Sequence, residues 1–238
     1  MHFFGERLRE YSAGRILDFG TGGGGSAKAL SEQVRDFSEI TGVDTLDPDQ
    51  AIDPKQLEQL PFTYIQHTGL PLPFESDAFD TVYICYVLHH LPPDSRITVL
   101  EELKRVLKPR GSFLLAECYR GGQNGARQTE MYALMLRSAM DRDNGRQHYP
   151  PLRREGLVSL LTELKFSQYD IFDYAPQRED YLDRKNLDTI AAHLDEQLEK
   201  HAHLPRYEQY CRIEALLKKR MYRTGYVGSM ALGAVCRK

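Results

Sequence analysis

The segment Arg15-Ile16-Leu17-Asp18-Phe19, followed at once by Gly20-Thr21-Gly22-Gly23-Gly24-Gly25, constrains this chain more than any other feature. The first five residues read as a buried strand, and the glycine cluster breaks it. Ser26 to Val34 then reads as a helix, with Ala27, Leu30 and Val34 on one face. Glycines at such a junction let the backbone turn sharply and approach a ligand without Cβ clashes. The helix start beyond them offers unpaired N–H groups to a negative group. Two spacings coexist. Gly20-x-Gly22-x-x-Gly25, with Asp44 19 residues further on, fits a dinucleotide site. Asp18-x-Gly20-x-Gly22-x-Gly24 fits equally well, so the glycines alone do not separate a nicotinamide nucleotide from another adenosine cofactor. Asp44 ends a second strand, where a carboxylate can accept hydrogen bonds from ribose hydroxyls.

The rest of the first half alternates short apolar runs with helical patterns, as a parallel sheet covered by helices requires. Strands are expected at Glu39–Val43, Phe62–Gln66, Thr81–Cys85 and Ser112–Glu117, with a short helix near Pro54–Gln59 and a longer one at Asp94–Leu107. The second half differs. A glycine-marked loop (Gly121, Gly122, Gly125) leads to a helix at Gln128–Met140, with Met131, Leu134 and Met135 as its apolar residues. A helix at Glu155–Leu164, a sixth strand at Tyr169–Tyr174 and a seventh at Ser229–Cys236 complete the sheet. Between the last two strands, Arg178 to Arg223 is strongly helical. Leu187, Ile190, Ala191, Leu194 and Leu198 form one stripe, and Tyr207, Tyr210, Ile213, Leu217 and Met221 another, with Pro205 in the first turn of the second helix. The expected division is a core of residues 1–177 and 224–238 and a helical hairpin at 178–223.

A chain of 238 residues with 41% hydrophobic and 27% charged residues can bury a substantial core without cross-links. Its charge of −3 lacks the basic excess of a protein held by nucleic-acid phosphates. No apolar run approaches the roughly 20 residues that span a bilayer. The charged start, Met-His-Phe-Phe-Gly-Glu-Arg, and four scattered cysteines (Cys85, Cys118, Cys211, Cys236) lead us to expect a cytoplasmic protein with no membrane and no nucleic-acid partner. No His, Cys or Asp cluster has metal-ligand spacing, and no metal is expected. His201-x-His203 reads as a solvated helix end.

Several motifs carry a resemblance. Arg15-Ile-Leu-Asp-Phe-Gly-Thr-Gly-Gly-Gly and Gly42-Val43-Asp44 resemble the opening motifs of class I S-adenosylmethionine-dependent methyltransferases. Leu72-Pro-Phe-Glu-Ser-Asp-Ala-Phe-Asp80, Val87-Leu-His-His-Leu91 and Glu102-Leu-Lys-Arg-Val-Leu-Lys-Pro-Arg-Gly111 resemble later motifs of the small-molecule, type 11 branch, in the right order from Arg15 to Glu117. The resemblance implies a Rossmann-like, doubly wound α/β fold of seven strands with the last one antiparallel. It implies S-adenosylmethionine as cofactor: Asp18, Gly20, Thr21, Gly22 and Gly24 at its methionine end, Asp44 at the ribose, the Thr68, Gly69 and Leu70 segment near adenine, and Cys85 lining the sulfonium side. The chain departs from the family at His67-Thr68-Gly69, where an aspartate often stands, and at Arg110, where a glycine is usual.

The cofactor brings its own activated methyl group, so the protein has to orient an acceptor and exclude water. A base is needed only for an acceptor that arrives protonated. Glu117 and His89 are the named catalytic candidates, with His90 and His148 also near by location. Glu117 ends strand five, where open α/β sheets place their ligands. The Asn-Pro-Pro-aromatic motif of amino-directed nucleic-acid methyltransferases is absent, and a small-molecule substrate is expected. The hairpin is expected to dock as a lid over the strand ends or to serve a homodimer. An NAD-type oxidoreductase and a catalytically silent scaffold are the alternative readings.

Overall fold

The computed structural model describes residues 4–52, 54–123, 125–175 and 181–238. Its centre is the strand that precedes the glycine cluster. β1 (Arg15–Phe19) pairs in parallel with β2 (Glu39–Asp44) on one side and β4 (Phe79–Cys85) on the other. β3 (Phe62–Gln66) extends the β2 edge, and β5 (Leu107–Cys118) lies beyond β4. The last two strands, β6 (Gln168–Tyr174) and β7 (Ala231–Arg237), arrive in reversed spatial order, with β7 antiparallel to both β5 and β6. The order is β3-β2-β1-β4-β5-β7-β6. The chain leaves β1 toward β2 and returns on its other side as β4. That reversal opens a crevice at the carboxyl ends of β1 and β4, where sheets of this kind bind ligands.

Side chains alternate along the strands and bury both faces. Leu17, Val82, Ile84, Phe113 and Leu115 pack with Leu100 and Leu103 of α4 (Arg96–Val106) and with Leu157 and Leu161 of α6 (Arg154–Glu163). Ile16, Tyr83 and Leu114 face the other way, onto Ala27 and Leu30 of α1 (Gly25–Ser31) and onto Phe4 and Leu8. A single turn of 3-10 helix at Gly5–Leu8, with Phe4 just before it and Leu8 at its end, is an element the periodicity does not mark. Each buried Leu- or Phe-sized side chain contributes about 1.5–3 kcal/mol, so the doubly covered centre is the rigid part of the molecule.

Other elements depart from expectation at their ends. Two four-residue helices, α2 (Pro48–Ala51) and α3 (Pro54–Leu57), replace the one expected between β2 and β3. β5 begins at Leu107 because Leu107 pairs with Phe79 across an irregularity in the ladder, so Pro109 and Gly111 lie within the strand. Arg110 there carries a φ of 65°, the conformation in which the family's glycine would sit. α5 (Gly125–Asp143) is longer than its apolar spacing suggests.

The expected hairpin starts at Arg178, which lies outside the described residues. Its two helices are α7 (Arg184–Glu199), capped by Asp183 accepting from the Asn186 amide at 2.9 Å, and α8 (Tyr207–Thr224). Pro205 precedes α8 rather than opening it. Leu187, Ala191, Leu194 and Leu198 of α7 share one cluster with Tyr210, Leu217 and Met221 of α8, and α8 in turn packs on α5, whose Ala133, Leu136 and Met140 join the same cluster. The docking partner of the hairpin is thus α5, giving a three-helix unit with its own core. On α8 the buried series is Tyr210, Glu214, Leu217 and Met221, and the expected Ile213 is 41% exposed. Glu214 is tolerated inside because Lys218 Nζ reaches its Oε1 at 2.7 Å. On α5, Met131 is buried as expected, Leu134 is half-buried, and Met135 faces outward.

Candidate functional site

The glycine turn closes around one carboxylate. Asp18 is fully buried near the end of β1. Thr21 Oγ1 donates to its Oδ2 at 2.6 Å, and Ser26 Oγ donates to the same oxygen at 2.7 Å. The other oxygen, Oδ1, is buried without a hydrogen-bond partner. Desolvation pushes the pKa of Asp18 up to about 6, against the hydrogen bonds from Thr21 and Ser26 and with some help from the nearby Asp44. A buried, half-satisfied carboxylate favours a cation beside it. Gly20 has a φ of 73° and packs so closely on the Val87 side chain that a Cβ would collide with it. Gly22 has a φ of 52° with nothing within 4 Å of where its Cβ would be, so the loop presents bare backbone to open space there.

Asp44, at the end of β2, ties this loop to its neighbours. Its Oδ2 accepts from the Gly22 amide at 2.8 Å, and its Oδ1 accepts from the Thr45 and Leu46 amides at 2.7 and 3.2 Å. Carboxylate oxygens have lone pairs left after these bonds. The Thr68, Gly69 and Leu70 segment begins one residue past the His67 amide, which donates to the Asp44 carbonyl at 2.9 Å. All three residues are exposed along that edge. Cys85 ends β4, paired with Ala116. Desolvation pushes its thiol up to about 12, so it stays an uncharged group. Next to it Tyr86 holds a φ of 56°, a conformation costly for a bulky residue and common at functional sites.

On the acceptor side the two catalytic candidates are in contact. Glu117 is 1% exposed on β5, and its Oε1 accepts from His89 Nδ1 at 2.7 Å. Its Oε2 accepts from the Leu88 amide at 2.8 Å, and the Cys118 amide reaches Oε1 at 3.1 Å. Three N–H donors thus converge on one carboxylate, with His89 Nδ1 as the donor of its pair. His90 and His148 stand beside it, with ring centroids 4.3 Å (His89–His90), 5.3 Å (His89–His148) and 4.5 Å (His90–His148) apart. Partial loss of solvent around the ring of the otherwise exposed His90, together with the two other imidazoles, pushes its pKa down to about 4. His148 is held by Asp141 of α5, whose Oδ2 accepts from its Nδ1 at 2.6 Å. Burial raises the pKa of Asp141, but the hydrogen bond and charge of His148, then Arg146 and His201, bring it below the usual range. His201 is buried, with Nε2 3.7 Å from Asp141 Oδ1, rather than solvated at a helix end.

Asp18, Asp44 and the glycines were legible in the sequence because the motif that holds them is local. Asp141 and Glu130 were not. Glu130 is half-buried on α5, where desolvation raises its pKa while its carboxylate accepts from the Ser229 amide at 3.1 Å. Their only sequence signal is an acidic residue at a core-facing helical position.

The strand order and this cradle define a class I methyltransferase fold. Residues 17–115 match the family model described as the methyltransferase domain. A demethylmenaquinone methyltransferase of Lactococcus lactis subsp. lactis (strain IL1403) is 32% identical over 115 residues, covering 47% of this chain and 45% of that protein. The chain spans about half the length of the curated relatives it matches. A cyclopropane-fatty-acyl-phospholipid synthase-like protein from Lactobacillus casei ATCC 334 shares the fold with a TM-score of 0.65 at 16% identity, covering 97% of this chain and 86% of that one. The Haemonchus contortus phosphoethanolamine N-methyltransferase 2, solved with phosphomonomethylethanolamine and S-adenosylhomocysteine, shares it with a TM-score of 0.55 at 18% identity, covering 98% of this chain and 50% of that one. Among the described residues no helix is long and apolar enough to cross a membrane.

Proposed function

We propose that this chain transfers a methyl group from S-adenosylmethionine to a small-molecule acceptor. The observation that carries the reading is the unpartnered, buried Oδ1 of Asp18 beside a glycine turn open at Gly22. That pairing suits a ligand bearing an ammonium next to a polar chain. When bound, the cofactor supplies a methyl group already activated on a sulfonium. The chain's own residues bind and orient. Asp18 and the turn of Gly20, Thr21, Gly22 and Gly24 hold the methionine end, Asp44 takes the ribose hydroxyls, and Thr68, Gly69 and Leu70 border adenine. The protonated thiol and backbone of Cys85 line the sulfonium side without offering a competing nucleophile. Glu117 fixes His89 so that Nε2, the nitrogen without a proton, faces outward from the pair and can take one from the acceptor. The three-helix unit built on α5 covers the acceptor side; a second copy docked on the same helices is the other arrangement its surface allows.

Calorimetric titration with S-adenosylhomocysteine tests the reading. One site per chain is expected, weakened on the order of tenfold or more by Asp44→Ala, since hydrogen bonds to a charged acceptor contribute about 1.5–3 kcal/mol each. Binding of NADH in its place would favour an oxidoreductase, and binding of neither a silent scaffold. The acceptor is then sought by mass-detected methyl transfer, starting with demethylmenaquinone, the compound in the name of the Lactococcus relative.

A further inference from the structure

We propose that His89, His90 and His148 form a binding site for a divalent transition-metal ion of the zinc type. The three come from two distant segments, the turn after β4 and the stretch after α5, and a ligating nitrogen of each lies within 4.8 Å of those of the others. Each ring has its Nδ1 turned to an oxygen that can only accept: Glu117 Oε1 at 2.7 Å for His89, the Gln147 carbonyl at 3.2 Å for His90, and Asp141 Oδ2 at 2.6 Å for His148. Each Nδ1 is therefore the donor of its pair, which leaves the three Nε2 atoms as the candidate ligating atoms.

The three rings are tilted 39–45° to one another, and a cation among them would take up their unused lone pairs. Outer carboxylates and carbonyls that fix the tautomer of each histidine are the usual support of a metal site and raise ligand basicity. Three imidazoles with a fourth position left open match the donor set of catalytic zinc sites. The supporting frame is rigid: Glu117 is held by the Leu88 and Cys118 amides, and the His148 carbonyl accepts from Ser138 Oγ at 3.0 Å and Arg142 Nη1 at 2.8 Å. His89 and His148 are buried, whereas His90 is exposed and leaves a way in. The ion sits at the carboxyl edge of β4 and β5. Its purpose rests on the methyl-transfer reading: it takes an oxygen or nitrogen of the acceptor as fourth ligand, lowers that group's pKa and releases its proton to solvent. His89 then coordinates instead of accepting the proton. Ion binding itself does not depend on that reading.

The test uses the full chain without any histidine tag, equilibrated with Zn²⁺, desalted and analysed for metal, with S-adenosylhomocysteine affinity measured on the same samples. About one ion per chain is expected. His90→Ala, at an exposed position, and His148→Ala should each lower Zn²⁺ affinity at least tenfold with unchanged circular dichroism and S-adenosylhomocysteine affinity. Cys118→Ser should keep the ion, because the Cys118 thiol already donates to Glu117 Oε1 at 3.5 Å. Wild-type protein that retains no Zn²⁺, or variants of His90 and His148 that retain it fully, overturn the proposal. So does loss of the ion in Cys118→Ser with both histidine variants loaded. Zn²⁺ binding without S-adenosylhomocysteine binding would sink the methyltransferase reading and leave the ion site standing.

Discussion

Asp18 has a pKa pushed up to about 6 by desolvation, against the pull of Thr21 and Ser26, while the unfolded chain releases its proton near 3.8. Between these values the native state binds more protons than the unfolded state, so stability falls as pH rises through that window. The loss is up to about 3 kcal/mol once pH exceeds the folded pKa. Asp18→Asn has no charge to desolvate. Its melting temperature relative to wild type, measured without ligand, should therefore climb between pH 4 and 6 and then level off. A difference that stays constant with pH would show that Asp18 is not the group responsible. The same variant should bind S-adenosylhomocysteine on the order of tenfold or more weakly, because it loses a charge-assisted contact. This residue is stabilising only when its ligand is present, which is how a binding site differs from a core.

The elements of the sheet half were legible because each is set by a local pattern: β3 spans Phe62–Gln66 as its alternation demands, and β1 stops where the glycines begin. Helix faces were harder. On α8, Ile213 and Glu214 lie one step apart on a wheel, and hydrophobicity alone selects Ile213. The structure buries Glu214, because the cluster around Tyr210, Leu217 and Met221 meets α5 as well as α7 and turns the helix toward both. A three-way contact leaves no two-helix periodicity to read. The histidine cluster escaped for a related reason: the separation of 57 residues from His90 to Gln147 hides a contact that only the fold makes. Within the three-helix unit, Leu194 of α7 is 7% exposed and central. Leu194→Ala should cost about 2–5 kcal/mol of the stability of that unit, by lost transfer energy and a residual cavity. Urea denaturation followed by far-ultraviolet circular dichroism would measure it. S-adenosylhomocysteine affinity of the folded variant should stay within about twofold, since neither the glycine turn nor Asp44 touches α7.

At the scale of the whole molecule, the chain carries two cores on the faces of the sheet and a third among α5, α7 and α8. α5 links the two parts. Its N-terminal part is tied to the segment leading into β7, with Arg127 Nη1 donating to the Gly228 carbonyl at 3.2 Å and Glu130 accepting from the Ser229 amide. Its last turn supplies Asp141 to His148. A movement of the helical unit would therefore reach the histidines through α5 before it reached the glycine turn. Free energies of local opening follow how densely an element is packed, and β1, β4 and β5 are covered on both faces whereas α7 and α8 are covered on one. Native-state hydrogen exchange should show α7 and α8 opening at lower free energy than those strands. S-adenosylhomocysteine should slow the amides of Gly22, Gly24, Thr45 and Leu46 and leave α7 and α8 unchanged, because their buried stripes pack on α5 and on each other. Slowing of α7 and α8 by the cofactor product alone would mean that the hairpin closes on the cofactor itself, and the independence argued from the separate third core would fail.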